Sequence, residues 1–244
     1  MLERLAARNP AFSPFLGEAE KLEEPDLDFM LSEVPAYDAV PSVRVEDLIP
    51  EAAYDQFRGV YHPYLKWRGI TLDTAKAWES GWDDQDRVVT FPVRNAKKEL
   101  LGVTGRFVKP RGKPYRIYWS RDRRSWLFGE QLVVPGTKLI VVEGVLDAVI
   151  VWQALGERRS EFSVVALLGV GFTNDQLDKL VSLADTAILF FDNDNPGAGG
   201  YKRMVEAIGR RIHLLFVPYP EGVKDPGDAL QVLWDMLDKV ELAY

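Results

Sequence analysis

From Lys138 onward the chain alternates between two patterns. Short, nearly all-apolar runs such as Leu139-Ile140-Val141-Val142, Ala187-Ile188-Leu189-Phe190-Phe191 and Leu214-Leu215-Phe216-Val217 are each followed by a longer stretch with helical spacing. The pattern predicts strands over residues 138–143, 162–168, 186–191 and 212–217. It predicts helices over 146–155, 174–184, 198–210 and 227–240, the second of them capped by Thr173. Strands that are apolar on both faces and separated by helices imply an α/β fold, with a parallel sheet covered on both sides and joined by right-handed crossovers. In such sheets ligands bind beyond the carboxyl ends of the strands.

Upstream the pattern is different. Residues 88–93 and 100–108 alternate apolar and polar as two short strands around a turn at 95–98, and Gly102 and Gly105 suggest a bulge or a close backbone approach. Residues 51–82 have helical spacing, with a stop at Gly69 and Thr71 as the N-cap of a second helix over 72–79. Residues 1–50 contain Pro10, Pro14, Pro25, Pro35, Pro41 and Pro50 among acidic clusters, which reads as a tether with at most one short helix. The division expected is therefore a tether over 1–50, a smaller α+β subdomain over 51–137, and a parallel-sheet domain over 138–244 that ends in a short helix.

Composition narrows the chemistry. The chain has no cysteine, which excludes disulfides, thiolate zinc sites and cysteine nucleophiles. Its two histidines are His62, beside Pro63, and His213, which falls inside an apolar run and reads as a packed core residue. Any metal must then be held by oxygen, which favours Mg²⁺ or Mn²⁺. No apolar run approaches the ~20 residues needed to cross a bilayer, and the N-terminus lacks a basic-then-apolar signal, so a cytoplasmic chain without a membrane partner is expected.

The net charge of −7 conceals a segregation: residues 1–60 hold 13 acidic and 5 basic side chains, and residues 87–126 hold 12 basic and 2 acidic. Among the latter are Phe107, Tyr115, Tyr118, Trp119 and Trp126. Cations neutralise phosphates and aromatic faces stack on bases, so the mixture suits a single strand of nucleic acid. A solvated sheet surface with core aromatics would have the same composition.

Carboxylates cluster where the predicted strands end. Glu143-Gly144 closes the first, with Asp147 four residues on; Asp192-Asn193-Asp194 follows the third, before the turn at Asn195-Pro196-Gly197; and Asp225 and Asp228 follow the fourth. Acidic surface turns would have this composition, but three strand ends on one sheet edge would bring sequence-distant carboxylates together as a metal site. The first strand leads into Glu-Gly-Val-Leu-Asp, and Gly169-Val170-Gly171 has no third glycine in register, so a dinucleotide-binding turn is excluded.

Glu143-Gly144 with Asp147, Leu168-Gly169 before Phe172-Thr173-Asn174-Asp175-Gln176-Leu177, and Asp192-Asn193-Asp194 with Pro196-Gly197 resemble the Toprim domain of DnaG-type primases of bacteria and phage. Asp225-Pro226-Gly227-Asp228 is similar to the last acidic motif of that family, with Gly227 inserted before the second acid. Tyr64-Leu65-Lys66-Trp67-Arg68-Gly69-Ile70-Thr71, residues 87–93, Gly102-Val103-Thr104-Gly105-Arg106 and Leu127-Phe128-Gly129 resemble the smaller subdomain and the link into Toprim. The resemblance covers roughly residues 52–235. It implies a Toprim-type parallel sheet flanked by helices, preceded by a smaller α+β primase subdomain. It also implies RNA primer synthesis from nucleoside triphosphates on a single-stranded DNA template.

The residue roles that follow are specific. Asp192, Asp194 and Asp225 are the expected ligands of two Mg²⁺ or Mn²⁺ ions, with Asp147 supporting them and Glu143 as acid/base. The resemblance makes Arg106 a template- or nucleotide-binding arginine. It sets Arg116 where the family has a lysine, with Lys113 as the other candidate, and Arg123 and Arg124 near a further basic position. The zinc module and helicase of full-length primases have no counterpart in the sequence, so the expectation is either a minimal phage- or plasmid-type core or a core served by a separate zinc-bearing initiation protein, with a replicative helicase as a further candidate partner. Two other classes use the same features: a Toprim nuclease, and a non-catalytic replication accessory that binds single-stranded DNA.

Overall fold

The computed structural model describes residues 48–242 apart from 110, 111, 113, 119–124, 170, 194, 221, 224 and 227–231. Residues 1–47 of the expected tether lie outside the described residues. Its last residues are tied to the sheet that follows, since the Ile49 N–H donates to the Leu100 carbonyl at 2.8 Å.

Two sheets build the fold. The first is antiparallel, in the order β1 (Gly81–Asp83), β2 (Val88–Arg94), β3 (Leu100–Phe107) and β4 (Tyr115–Tyr118). The second has the order β6 (Phe162–Ala166), β5 (Lys138–Val142), β7 (Thr186–Leu189), β8 (His213–Phe216) and β9 (Glu241–Leu242). The four strands expected from the apolar runs are parallel, and β9 adds to the edge antiparallel.

Three short helices, α1 (Ala52–Asp55), α2 (Pro63–Trp67) and α3 (Leu72–Ala77), occupy the stretch read as helical, which ends instead in strand β1. A Cβ on Gly81 would lie 2.1 Å from the Phe57 carbonyl oxygen, so glycine is what lets β1 lie against the end of the first helical segment. Thr71 caps α3 as expected. His62 caps α2, its Nδ1 accepting from the Tyr64 N–H at 3.1 Å, and this accounts for the histidine before Pro63. In β3 both readings of the glycines hold. The ladder shifts register between Val93 and Arg94, and a Cβ on Gly102 would meet the Trp126 ring at 2.1 Å.

The second sheet is flanked by α4 (Val145–Leu155), α5 (Asn174–Leu183) and α6 (Asn195–Ile208), with α7 (Leu233–Leu237) further on. Thr173 and Gln176 form a capping box on α5. Successive strand residues face opposite sides. Ile140, Val142, Val164 and Ile188 pack in one core with α4 and the antiparallel sheet, while Leu139, Val141, Val165 and Leu189 pack in a second core with α5 and α6. His213 falls between Ile212 and Leu214, which point into that second core; it is exposed, contrary to the core position expected of it.

The two sheets are joined through Phe128. Its N–H and carbonyl pair with Ala166 on the edge of β6 at 2.9 and 2.8 Å, and its ring stacks on Trp78 at 4.8 Å. Beside it Glu130 and Lys179 form a buried ion pair at 2.8 Å, and the other Glu130 oxygen accepts from the Ala96 N–H at 3.0 Å. The Gln176 amide donates to the Trp126 and Leu167 carbonyls at 2.8 and 3.0 Å. The antiparallel sheet is thereby anchored against the edge and α5 of the parallel one. Among the described residues no helix is long and apolar enough to cross a membrane.

Candidate active site

The carboxyl ends of the parallel strands carry the acids. Val142 ends β5 and leads into the buried Glu143; Gly144 then caps α4, whose first turn holds Asp147. A Cβ on Gly144 would lie 2.2 Å from Asp147 Oδ2, so the glycine leaves room for that carboxylate to fold back over the helix end. The Gly169 N–H donates to the Glu143 carbonyl at 3.1 Å, and Leu168 before it takes a left-handed φ of 65° that non-glycine residues rarely adopt.

Beyond β7, Phe190 and Phe191 are buried and deliver Asp192 to the edge. Two contacts tie its loop to the loop after β8: the Asn193 amide donates to the Val223 carbonyl at 3.0 Å, and the Tyr219 hydroxyl donates to the Phe191 carbonyl at 2.8 Å. Tyr219 also shows how closely the acids gather. Burial drives its phenol well above the usual range, and the charges of Asp192, Asp147, Asp225 and Glu143 each push it further. The charges of all four carboxylates thus reach one buried hydroxyl.

They line a cavity of about 470 Å³. Opposite them stand Thr104 and Arg106 of β3 with Tyr115 and Ile117 of β4, each pair two residues apart and so on one face of the antiparallel sheet, and Arg68 completes the cationic side. Burial raises the Asp147 carboxyl to about 6, aided by the charge of Asp225 and opposed by Arg68 and Arg106. Burial and Asp147 raise the Tyr115 phenol to about 12. The Arg106 guanidinium lies over the Tyr115 ring at 4.9 Å, and its buried Nε has no hydrogen-bond partner among the described residues. A buried donor of this kind suits an anionic ligand.

The donor set is all oxygen, which fits a hard divalent cation such as Mg²⁺ or Mn²⁺. Among the described residues no three acidic or histidine side chains gather closely enough to hold an ion by themselves. Asp194, expected as a third ligand beside Asp192, lies outside the described residues, as do Lys113, Arg123 and Arg124.

Arg116 is described and is not in the cavity wall. Alternation along β4 sends Tyr115 and Ile117 toward the acids and Arg116 to the other face, where it pairs with Asp86 and lies 4.8 Å from the Tyr118 ring centre. The aromatics of the basic segment also divide. Trp126 and Tyr118 are buried, the Tyr118 hydroxyl donating to Asp83 at 2.7 Å, and of the others Tyr115 reaches the cavity. Arg68 and Tyr219 were not expected at the site. The signal for Arg68 was available, since it directly precedes the Gly69 stop inside a primase-like motif. Tyr219 is a lone aromatic after a strand, and only the folded loops give it significance.

Residues 140–230 match a family described as Toprim-like. A DNA primase of Rickettsia felis is 30% identical over 155 residues, which is 58% of this chain and 25% of that protein. The matched region is thus about a quarter of the length of such curated relatives. Among solved structures, the DnaG primase catalytic domain bound to ssDNA matches with a TM-score of 0.64 at 18% identity, over 79% of this chain and 78% of that one. The primase fragment of a bacteriophage primase–helicase protein matches with a TM-score of 0.54 at 19% identity, over 71% and 73%. At such identities these structures speak for the fold, and with the primase relatives and the Toprim-like match they lead to one conclusion: this chain resembles the catalytic core of a DnaG-type primase, built around a Toprim domain.

Proposed function

We propose that this chain synthesises RNA primers on single-stranded DNA by nucleotidyl transfer from nucleoside triphosphates. The observation that carries the proposal is the cavity in which Glu143, Asp147, Asp192 and Asp225 face Arg68 and Arg106. A pure binding protein has no comparable use for acids gathered beside its cations, and the DNA primase relatives favour synthesis over cleavage.

Asp192, Asp194 and Asp225 would hold two Mg²⁺ or Mn²⁺ ions, which when bound make the attacking hydroxyl more acidic and neutralise the charge that develops on phosphorus. The protein's own side chains do the rest. Arg106, with its buried unpartnered Nε, takes a phosphate of the incoming nucleotide or the template, and Arg68 supports it from the other side. Glu143 accepts the proton of the primer 3′-hydroxyl as its oxygen bonds to the α-phosphorus and pyrophosphate leaves. Asp147, held near neutral by burial, shares or releases a proton as cations enter. Residues 51–137 act as the basic subdomain and 138–244 as the catalytic one, in a cytoplasmic protein. A helicase is the partner this reading favours, since the bacteriophage protein whose primase fragment shares the fold is a primase–helicase, and a zinc-bearing initiation protein is the second.

The test is a primer-synthesis assay on random single-stranded templates with Mg²⁺ or Mn²⁺, with ribo- and deoxynucleotides supplied separately. Ribonucleotide-dependent products that vanish in Asp192→Asn are expected. Cleavage of the template without nucleotides would replace the proposal with a nuclease.

A further inference from the structure

Trp67 is 76% exposed, far beyond the other exposed large apolar side chains among the described residues, which reach 40–45%. A single exposed apolar side chain needs no explanation by itself, but a flat indole held in one place is a surface on which a base can stack. This one is rigidly mounted. His62 caps its helix, the Tyr64 ring lies 5.7 Å from the Trp67 ring on the same helical face, and the segment after it is clamped to α4. The clamp is Gln153, whose amide donates to the Gly69 carbonyl at 2.9 Å and accepts from the Thr71 N–H at 2.7 Å. The helix that carries Asp147 therefore also fixes the position of Trp67.

The surroundings indicate what covers the ring. Arg68, the next residue, lines the acidic cavity, and Lys66, the preceding one, is exposed. Tyr64 and Tyr115, the latter on the cavity wall, pack against the same hydrophobic core. The Trp67 and Tyr64 rings thus lie on the short helix that leads directly into Arg68 of the cavity wall, with the exposed Lys66 on the same turn. The basic segment 87–126 was the expected place for stacking aromatics, yet its indole at Trp126 is buried under Gly102. Among the described residues the most exposed indole lies instead on α2.

Resting on the primase reading above, we propose that Trp67 is a stacking platform for a base of the single-stranded DNA template at the mouth of the cavity, with Lys66 and Arg68 on the adjoining phosphates. Stacking accepts any base, so the platform would guide the strand without selecting its sequence. Lys66 and Arg68, next to Trp67 in the sequence, favour a polyanion as the occupant over an apolar protein surface.

The test measures binding of a fluorescent oligothymidylate by anisotropy across a salt series. Trp67→Ala should weaken binding roughly 10-fold with its salt slope unchanged, because stacking releases no counterions, and Trp67→Phe should retain most of the affinity. Lys66→Ala should instead lower the slope by about one phosphate contact. Replacing thymines with abasic sites should close the gap between wild type and Trp67→Ala, a response that a merely structural role would not give. An unaltered thermal melt in Trp67→Ala excludes misfolding, since an exposed side chain takes no packing with it. Wild-type affinity in Trp67→Ala overturns the inference, as does a wild-type dimer that the variant converts to monomer. If the wild type makes primers and binds DNA but Trp67→Ala matches it, this inference alone fails. If the wild type neither binds nor polymerises, the primase reading fails with it.

Discussion

Lys179 and Glu130 are each almost fully buried and lie 2.8 Å apart, joining α5 to the segment that enters the parallel sheet. Arg94 is buried in the same manner, its guanidinium donating to both Glu51 and Glu79. At the carboxyl ends of the parallel strands, by contrast, Glu143, Asp147, Asp192 and Asp225 line one cavity with charges of one sign. In the first region each of these buried charges has its opposite at hydrogen-bonding distance, and the ions lock two parts of the fold together. In the second, like charges are concentrated where the strands end, and the surrounding loops hold them there against their repulsion. The difference separates charge paired one to one to hold the fold from a cavity where several acids gather beside Arg68 and Arg106, and the latter is where a charged ligand can act.

The sharpest way to break the comparison is to remove one partner of the buried pair. Lys179→Met strands Glu130 without its cation, and about 3–5 kcal/mol of stability should be lost. Urea unfolding would show it as a lower midpoint with an unchanged slope. Changing Glu130 to Gln as well should recover a large part of the loss. A single variant within about 1 kcal/mol of wild type would show the pair to be incidental.

Asp192→Asn probes the other region and should behave in the opposite sense. Removing one of four crowded charges should leave the metal-free melting temperature equal or higher. The wild type should gain stability as Mn²⁺ is added, because the ion binds the folded site, and the variant should lose most of that gain. Any polymerising activity should fall at least ~100-fold. A lower metal-free melt with an intact Mn²⁺ response would make Asp192 a packing residue and remove the main support for the proposed chemistry.

The parallel sheet was legible in the sequence because its strands are buried on both faces, and a short apolar run between two helices fits a covered strand and little else. That Glu143, Asp192 and Asp225 share one edge followed from strand direction alone. The short strands β1 and β4 were not legible, since three or four residues with one face against a sheet leave no periodicity to count. The same limit accounts for Arg116. Charge counting along 87–126 placed it with Arg106, but a strand alternates, and one position decides which face a side chain meets. Tyr219 and Arg68 required the folded loops, because their roles lie in what they face across the cavity.

Arg106 and Arg116 therefore form a graded test. Arg106→Ala should weaken single-strand binding about 10-fold and lower its salt slope by about one phosphate. Arg116→Ala, whose guanidinium is occupied by Asp86 and Tyr118 on the far face, should stay within about 2-fold with an unchanged slope. Equal effects in the two variants would extend the track across both faces of the sheet.

The pH dependence of stability is the test most diagnostic of crowded charge. Asp147 holds its proton up to a pH of about 6 in the folded protein, whereas an unfolded aspartate releases it near ~3.9. Between those values the folded state binds more protons than the unfolded one, so its stability must fall as the pH rises through that window and stay reduced above it. Asp147→Asn cannot titrate there. Without divalent ions, then, the wild type should lose stability relative to the variant between about pH 4 and 6.5, and the difference should level off by about pH 7. Urea midpoints for the two proteins across that range would measure it. An opposite slope, with the wild type gaining on the variant as the pH rises, would mean that Arg68 and Arg106 outweigh burial and the neighbouring acids at Asp147. The cavity would then be a site of balanced pairs, no different in kind from Glu130 and Lys179.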